Sequence, residues 1–354
     1  MRLEQLTFTR FLAAISIVVF HYGNDIFPFN SNIIDFLFRQ ANIGVSYFFI
    51  LSGFVMIIAY ENRDKIEFRD FLKRRLARIY PVYLLAIFSL LAYYVLISQS
   101  FDYKELFLNL TLIQSWIPGF ALSFNSPSWS LSVEMFFYIS FPFLFNSFYK
   151  KYSLKRLIIL VFIFFIGSQI LLHSFTHSSF YNGFPSKSHD LIYYFPLMHF
   201  SEFLIGNIAG LFFLKGIKVR NYDMPILALI VFMSLLLKMN IGINFHNGMM
   251  AFVFVPLIVF VSANNGLLSK ISSNKSLVFL GEISYGIYIL QKPVYEYVIK
   301  IMKYLNIHSS TFIFYTFLIV LILFSALSYK FFEVPLRNII NRKVVQRLTR
   351  KSLI

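Results

Sequence analysis

Residues 9–23 read TRFLAAISIVVFHYG, and they place two polar side chains, Arg10 and His21, at the ends of an apolar run. An α-helix turns about 100° and rises about 1.5 Å per residue, so both side chains lie on one face, about 16 Å apart. Ionisable residues in membrane helices usually face a bundle interior or a water-filled cavity, and they indicate function. The alternative is that Arg10 extends to one membrane surface and His21 lies in the opposite headgroup layer.

The whole chain is apolar enough for a protein with many membrane spans. Of its 354 residues, 58% are hydrophobic and 14% are charged, and the mean hydropathy is +0.69. A soluble domain typically has about 25% charged residues. We therefore predict an all-α polytopic membrane protein with about ten transmembrane helices. The predicted spans are roughly 6–26, 43–60, 80–98, 129–149, 154–173, 191–214, 223–239, 246–263, 282–303 and 311–333.

Lysine and arginine lie in the short segments between these apolar runs. If the N-terminus is cytoplasmic, 24 of the 32 basic residues fall in inner segments and seven in outer ones. This asymmetry predicts an N-in, C-in topology, and it argues against a nucleic-acid-binding face as the meaning of the +16 net charge. We expect a single transmembrane domain over residues 1–340 and a basic cytoplasmic tail over residues 341–354.

The absence of cysteine and of a signal-peptide cleavage site excludes several alternatives. The chain has no cysteine, which excludes disulfides, thiolate metal sites and a cysteine acyl-enzyme. No small-residue cleavage site follows the first apolar run, so we expect a retained first helix. His173 and His177 are spaced as a metal pair but lack a clear third ligand, and we predict no metal site. Residues 103–116 are too short and interrupted to span, which favours an interfacial or re-entrant helix.

A basic cluster lies before the third predicted span. Residues 67–83 read EFRDFLKRRLARIYPVY, and we expect Pro81 to open that span. Arg74 and Arg78 are one helical turn apart, and Arg75 neighbours Arg78. Their planar guanidinium groups suit bidentate binding of phosphate oxygens. The alternative is a topology signal alone.

The fourth span begins with a polar stripe. Residues 123–138 read SFNSPSWSLSVEMFFY, in which Ser128 is a candidate N-cap. Ser130, Glu134 and Tyr138 follow at four-residue intervals and share a face. A carboxylate inside a membrane helix is expensive unless it is paired or functional. The stripe predicts either a structural hydrogen-bond belt or a polar pocket that opens outward.

Other features have simple structural interpretations. Small residues in the second span, namely Gly44, Ser52 and Gly53, favour close helix packing. Three glutamates lie in or at the ends of apolar spans, and the simplest expectation is that each pairs with an inner-side arginine. These are Glu202, Glu282 and Glu333.

Six landmarks follow one another along the chain. They are Arg10 with His21, IGVSYFFILSGF (43–54), RRLAR (74–78) followed by Pro81, SPSWSLSVEMFFY (126–138) followed by Pro142, GEISYGIYIL (281–290) and FFEVPLRN (331–338). Taken in order, they resemble the acyltransferase-3 family across essentially the whole chain. Members typically have ten membrane helices and transfer acyl groups, often acetyl, to bacterial surface glycans and other extracytoplasmic acceptors.

The resemblance implies an O-acyltransferase in the bacterial cytoplasmic membrane. The donor is a cytosolic acyl-CoA, expected to be acetyl-CoA, and the acceptor is a hydroxyl of a surface polysaccharide such as O-antigen or of a lipid-linked sugar. His21 is the implied catalytic residue together with Arg10, and Arg74, Arg75 and Arg78 would hold the donor phosphates. The implied acceptor-binding residues are Ser128, Trp129, Ser130, Glu134 and Tyr138.

The residues leave the role of His21 open. A neutral imidazole can take a proton from a sugar hydroxyl, or it can carry the acyl group itself. A pantetheine arm running from Arg10 to His21 would explain their separation.

Two departures from the family pattern stand out: Ser46, where members commonly have Asp, and Gln291, where they often have His. The chain resembles the stand-alone form, without an esterase-like domain. The rival function is a transporter or flippase of a glycan precursor, which inverted repeats would favour, and we see none.

Overall fold

The computed structural model describes residues 4–239 and 242–341, so the predicted basic tail lies outside it except for Asn341. In this part of the chain every regular element is helical, as the sequence predicts. The helices are α1 (Glu4–Tyr22), α2 (Asp35–Phe38), α3 (Gly44–Tyr60), α4 (Phe68–Leu96), α5 (Tyr103–Leu110), α6 (Trp129–Leu144), α7 (Leu154–Thr176), α8 (Lys187–Tyr193), α9 (Phe200–Leu214), α10 (Asp223–Met239), α11 (Ala251–Ala263), α12 (Leu267–Ser272), α13 (Lys275–Tyr304) and α14 (Ser310–Ser328).

Seven helical stretches in the described residues are long and apolar enough to cross a membrane. Three of the ten predicted spans are not among them, namely those that correspond to α10, α11 and α13. Helix α11 has 13 residues, about 20 Å, which is less than the hydrocarbon thickness of about 30 Å. The length and composition of the helices thus establish a polytopic pattern, and the count of ten spans stays a prediction.

Helix α4 corrects the predicted start of the third span. It begins at Phe68 and continues through Pro81, so the arginines of RRLAR lie on the helix itself and not in a loop. The sequence predicts a helix start at Pro81, because proline removes a backbone donor and disfavours helix interiors. Membrane helices tolerate internal proline, since neighbouring groups satisfy the freed carbonyl.

The predicted span 191–214 is not one continuous helix. It consists of α8, a 3₁₀ turn at Pro196–His199 and α9. Phe195 is extended, with φ −70° and ψ 130°, as expected for a residue that precedes proline. The short α5, with eight residues, is too short to span, as predicted.

The chain divides into two compact units, and it passes between them after Arg63, after Lys150 and, within α13, after Ser284. The first contains Met1–Arg63 and Lys151–Ser284, and the second contains Asp64–Lys150 and Tyr285–Ile354. The expectation of a single transmembrane domain stays a prediction.

The first unit is built around the contact between α3 and α9. A Cβ atom added to Gly206 would lie 2.0 Å from the carbonyl oxygen of Ile50, and one added to Gly53 would lie 2.3 Å from that of Phe203. The two backbones therefore touch, which confirms the close packing predicted for the small residues of α3.

The second unit packs α4 against α6 through aromatic side chains. The rings of Phe71 and Phe141 are 5.5 Å apart, and both side chains are fully buried. The Tyr83 hydroxyl donates to the carbonyl of Asn109, 2.7 Å away, and so ties α4 to α5. Helix α6 ends in a π turn at Phe145–Tyr149.

Candidate active site

Helix α1 carries Arg10 and His21, as predicted, in the first unit. Arg10 is half-buried, and its positive charge acts on the hydroxyl of the buried Tyr47. Ala14 and Val18, which share the face between them, are fully buried, whereas His21 is exposed in the last turn of the helix. The stripe is thus covered by protein over most of its length and becomes accessible at its histidine end.

Arg75 lies between aromatic rings in the second unit. Its guanidinium carbon is 5.2 Å from the ring centroid of Phe71 and 5.8 Å from that of Tyr138. Phe71 precedes Arg75 by one turn of α4, so the first contact follows from helix spacing. Tyr138 belongs to α6, so the second contact joins two helices through a cation–π interaction.

The four-residue spacing on α6 places Glu134 and Tyr138 side by side. The Tyr138 hydroxyl donates to Oε2 of Glu134 over 2.8 Å. The charges of Arg75 and Arg78 both act on Tyr138. Arg75, Arg78, Glu134 and Tyr138 therefore form one group, here called the Arg75 cluster.

The Arg75 cluster brings together residues predicted to bind the donor and residues predicted to bind the acceptor, although we expected the two sets to lie apart. The expectation put the arginines at the inner face and the α6 stripe in a pocket at the outer face. Tyr138 is the tenth residue of α6, about 14 Å from its start along the axis. Because RRLAR is helical, Arg75 reaches the middle of α6 instead of remaining in a loop.

Tyr285 is a neighbour of this cluster that the sequence reasoning missed. Its hydroxyl donates to the carbonyl of Ile79 on α4, 2.7 Å away. The charges of Glu134 and Glu333 act on it. Tyr285 lies in the GEISYGIYIL landmark, but its contact with residues some 200 positions earlier leaves no periodic signal in the sequence.

The start of α6 forms a buried hydrogen-bond network. Ser128 precedes α6, but its hydroxyl makes no N-cap bond and instead donates to Oδ1 of Asn109 over 3.0 Å. The Tyr288 hydroxyl donates to the Ser130 hydroxyl, also over 3.0 Å. Trp129 is buried, and its carbonyl accepts from Ser115. These contacts support the structural alternative for this end of the stripe.

Two of the three glutamates in the apolar spans, Glu333 and Glu202, have different kinds of partner. Glu333 accepts from Arg337 over 3.5 Å, which confirms the expected arginine partner. For Glu202 the expectation is wrong, because it pairs with His199 on the preceding turn. A histidine three residues away is a nearer partner than any inner-side arginine.

The two departures from the family pattern are both buried. Ser46 on α3 is 1% exposed. Gln291 on α13 is fully buried and donates through Nε2 to the Tyr288 carbonyl over 2.7 Å.

A comparison with known families confirms the resemblance, because an acyltransferase domain matches residues 3–330. The chain belongs to the acyltransferase-3 family. This family member is therefore an acyltransferase, and its apolar helices indicate a multi-pass membrane protein.

Three of the curated relatives that match this chain carry transferase names. The acyltransferase MdmB of Streptomyces mycarofaciens is 28% identical over 324 residues, which cover 85% of this chain and 81% of MdmB. The O-acetyltransferase OatA of Staphylococcus aureus is 22% identical over 84% of this chain and 52% of its own length. The protein named "Putative peptidoglycan O-acetyltransferase YrhL" in Bacillus subtilis is 28% identical over 80% of this chain and 47% of its own length. No solved structure matches the chain.

Proposed function

We propose that this acyltransferase moves an acetyl group from cytosolic acetyl-CoA to a hydroxyl of a bacterial surface glycan or lipid-linked sugar. The names of OatA and YrhL support an acetyl donor, and the word "peptidoglycan" in the name of YrhL supports a glycan acceptor. The basic segments support an N-in, C-in topology in the cytoplasmic membrane.

The observation that carries the donor half of this proposal is the contact of Arg75 with Tyr138. An arginine whose only role is to set the membrane orientation of the chain would extend into the headgroup layer. Arg75 instead lies against an aromatic ring in the middle of a helix, where its fork is held in place. Together with Arg74 and Arg78, it supplies the planar donors that a nucleotide diphosphate requires.

His21 supplies the proton chemistry. The acceptor hydroxyl oxygen attacks the thioester carbonyl, so that a C–O bond forms and the C–S bond breaks. The imidazole takes the hydroxyl proton and returns it to the departing thiolate, which leaves as the free thiol of CoA. Alternatively, His21 carries the acyl group between the two partners. Its position at the accessible end of the α1 stripe suits either role.

The acceptor half rests on the remaining α6 residues. Glu134 and Tyr138 offer a carboxylate and a hydroxyl close to the arginines, whereas Ser128 and Ser130 support the helix start from within. We propose that the former pair contributes to binding the sugar.

Mass spectrometry of surface polysaccharide tests the proposal in cells with and without this gene. The expected result is a mass difference of one acetyl group on one sugar. In parallel, CoA should raise the unfolding temperature of the purified protein. Unchanged glycans together with stabilisation by a transported solute, and not by CoA, would instead establish the transporter or flippase alternative.

A further inference from the structure

Two amide oxygens beside the start of α6 have no donor among the described residues. They are Oε1 of Gln114 and Oδ1 of Asn125, and both side chains are fully buried. Their amide nitrogens are used, because Gln114 donates to Ser128 and Asn125 donates to the Ile289 carbonyl. Both atoms that lack partners are therefore acceptors, which a ligand with hydroxyl or N–H donors would satisfy.

An aromatic rim begins at Phe124, the residue before Asn125 in the sequence. The ring of Phe124 is 5.4 Å from that of Tyr94 and 6.4 Å from that of Phe101. Tyr94 and Phe101 lie nearly parallel, with an interplanar angle of 20°. Phe101 is half-buried and next to Tyr103, which is 78% exposed. The rim thus opens to the surface.

Charged groups of α5 and α13 line the same rim. The carboxylates of Glu105 and Glu296 both act on the Tyr94 hydroxyl and on the ammonium of Lys292. Lys292 donates to the carbonyl of Phe124. Neither carboxylate forms an ion pair within 4.0 Å in the described part of the chain. Two carboxylates around one ammonium leave the rim with a surplus negative charge.

We propose that this place, the Phe101–Glu296 site, binds one pyranose ring of the acceptor, a neutral or amino sugar and not an anionic one. The site comprises Tyr94, Phe101, Glu105, Glu296 and the amide oxygens of Gln114 and Asn125. The inference rests on the proposed function, because it gives the acceptor a binding residue set outside the Arg75 cluster.

The chemistry of a pyranose matches each part of the site. Its C–H face stacks on an aromatic ring, which buries apolar surface. Adjacent hydroxyls donate to the carboxylate oxygens and to the amide oxygens that lack donors. A carboxylated sugar would bring a third negative charge beside Glu105 and Glu296, and repulsion between like charges would exclude it.

Saturation-transfer NMR on the purified full chain in detergent tests the site with small probes. The probes are methyl β-D-glucopyranoside, methyl N-acetyl-β-D-glucosaminide and methyl β-D-glucuronide. We expect the neutral or N-acetyl glycoside to bind and the glucuronide not to bind. Glu296→Gln should weaken binding about tenfold, since it replaces a charge-assisted hydrogen bond by a neutral one. Phe101→Leu should weaken it without any change of charge.

Matched controls separate recognition from folding. Glu67→Gln removes an exposed carboxylate elsewhere in the same unit, and Phe107→Leu alters an exposed ring on α5. Both should retain binding. Unfolding temperatures of all variants show whether each still folds.

The inference is overturned if the glucuronide binds as well as the neutral probes, if Glu296→Gln and Phe101→Leu bind like the controls, or if no probe binds. CoA binding is measured in the same preparation. If the wild-type protein binds CoA but none of the glycosides, only the proposed sugar site is overturned. If it binds glycosides but not CoA, the proposed donor is contradicted.

Discussion

The Nδ1 atom of His199 lies 2.6 Å from Oε2 of Glu202, and neither side chain has any exposed surface. The Nε2–H group of the same imidazole donates to the Tyr193 carbonyl over 2.9 Å, because a carbonyl can only accept. One proton must therefore lie between Nδ1 and Oε2. Each member of the pair therefore depends on the other, and Oε1 of Glu202 has no hydrogen-bond partner among the described residues.

Removing one member of this pair should be costly. Glu202→Ala is expected to lower the free energy of unfolding by about 1–3 kcal/mol, because it leaves a buried imidazole nitrogen without its partner. Glu202→Gln should cost much less, since an amide still hydrogen-bonds to Nδ1. Thermal unfolding in detergent measures both. Equal losses for the two variants would show that packing, and not the hydrogen bond, stabilises this site.

Gly206→Ala should destabilise the first unit through the contact of α3 with α9. The new Cβ atom would lie 2.0 Å from the Ile50 carbonyl oxygen, and forcing the backbones apart costs about 1–3 kcal/mol. Gly167→Ala on α7 is the matched control, because nothing lies within 4 Å of its added Cβ. Thermal unfolding of the two variants compares them, and a similar effect of both would contradict the close contact.

His21→Ala is expected to abolish acyl transfer while the protein still inserts and accumulates, because the exposed imidazole makes no large contribution to the core. His21→Gln should also be inactive, since an amide cannot act as a base near neutral pH. Mass spectrometry of surface glycans and immunoblotting of membranes measure both properties. Near wild-type acylation in either variant would remove His21 from the mechanism.

Arg75→Ala together with Arg78→Ala should weaken CoA affinity about tenfold or more, because each charge-assisted hydrogen bond is worth about 1.5–3 kcal/mol. Lysine at both positions should restore only part of the affinity, since it lacks the bidentate fork. Arg69→Ala is the matched control, an exposed arginine near the start of α4. Isothermal calorimetry measures the affinities. If the double alanine variant binds CoA as tightly as the Arg69 control, the cluster sets topology alone.

Single cysteines test the topology, because the chain has none of its own. An impermeant thiol reagent added to intact cells, with access through any outer membrane, should label Ser100→Cys and spare Lys65→Cys. Both positions are exposed, and both should react once the membrane is opened. The opposite labelling pattern would put the arginines on the wrong side for a cytosolic donor, and the proposed mechanism would have to be abandoned.

Local periodicity predicted the features that depend on one helix. The four-residue spacing of Glu134 and Tyr138 predicted their shared face, and the hydrogen bond between them follows. The small residues of α3 predicted its close packing against another helix, because they lie within one helix and can be identified from its sequence alone. Hydropathy located most apolar spans, but it could not show that Pro81 lies inside α4 or that Pro196 interrupts the stretch before α9.

Contacts between distant segments could not be predicted from the sequence. Nothing in the spacing of RRLAR indicates that Arg75 lies on the ring of Tyr138, since that contact depends on how α4 and α6 cross. The partner of Glu202 was accessible in principle, because His199 is three residues earlier, but charge patterning drew attention to the arginines. The spacing of the α6 stripe left open a structural hydrogen-bond belt or an outward pocket, and it could not identify Asn109 and Gln114 as the amides that bond to Ser128.

The touching backbones of Gly53 and Gly206 also set a problem of timing during biosynthesis. About 150 residues separate the two glycines in the sequence, which at about 5–20 residues per second is about 8–30 s of translation. Throughout that interval α3 has left the ribosome, and Gly53 still lacks the helix that packs against it. Lipid or the insertion machinery must cover the surface of α3 around Gly53 until α9 arrives. Mutations on this surface are therefore expected to reduce the yield of inserted protein before they affect any reaction.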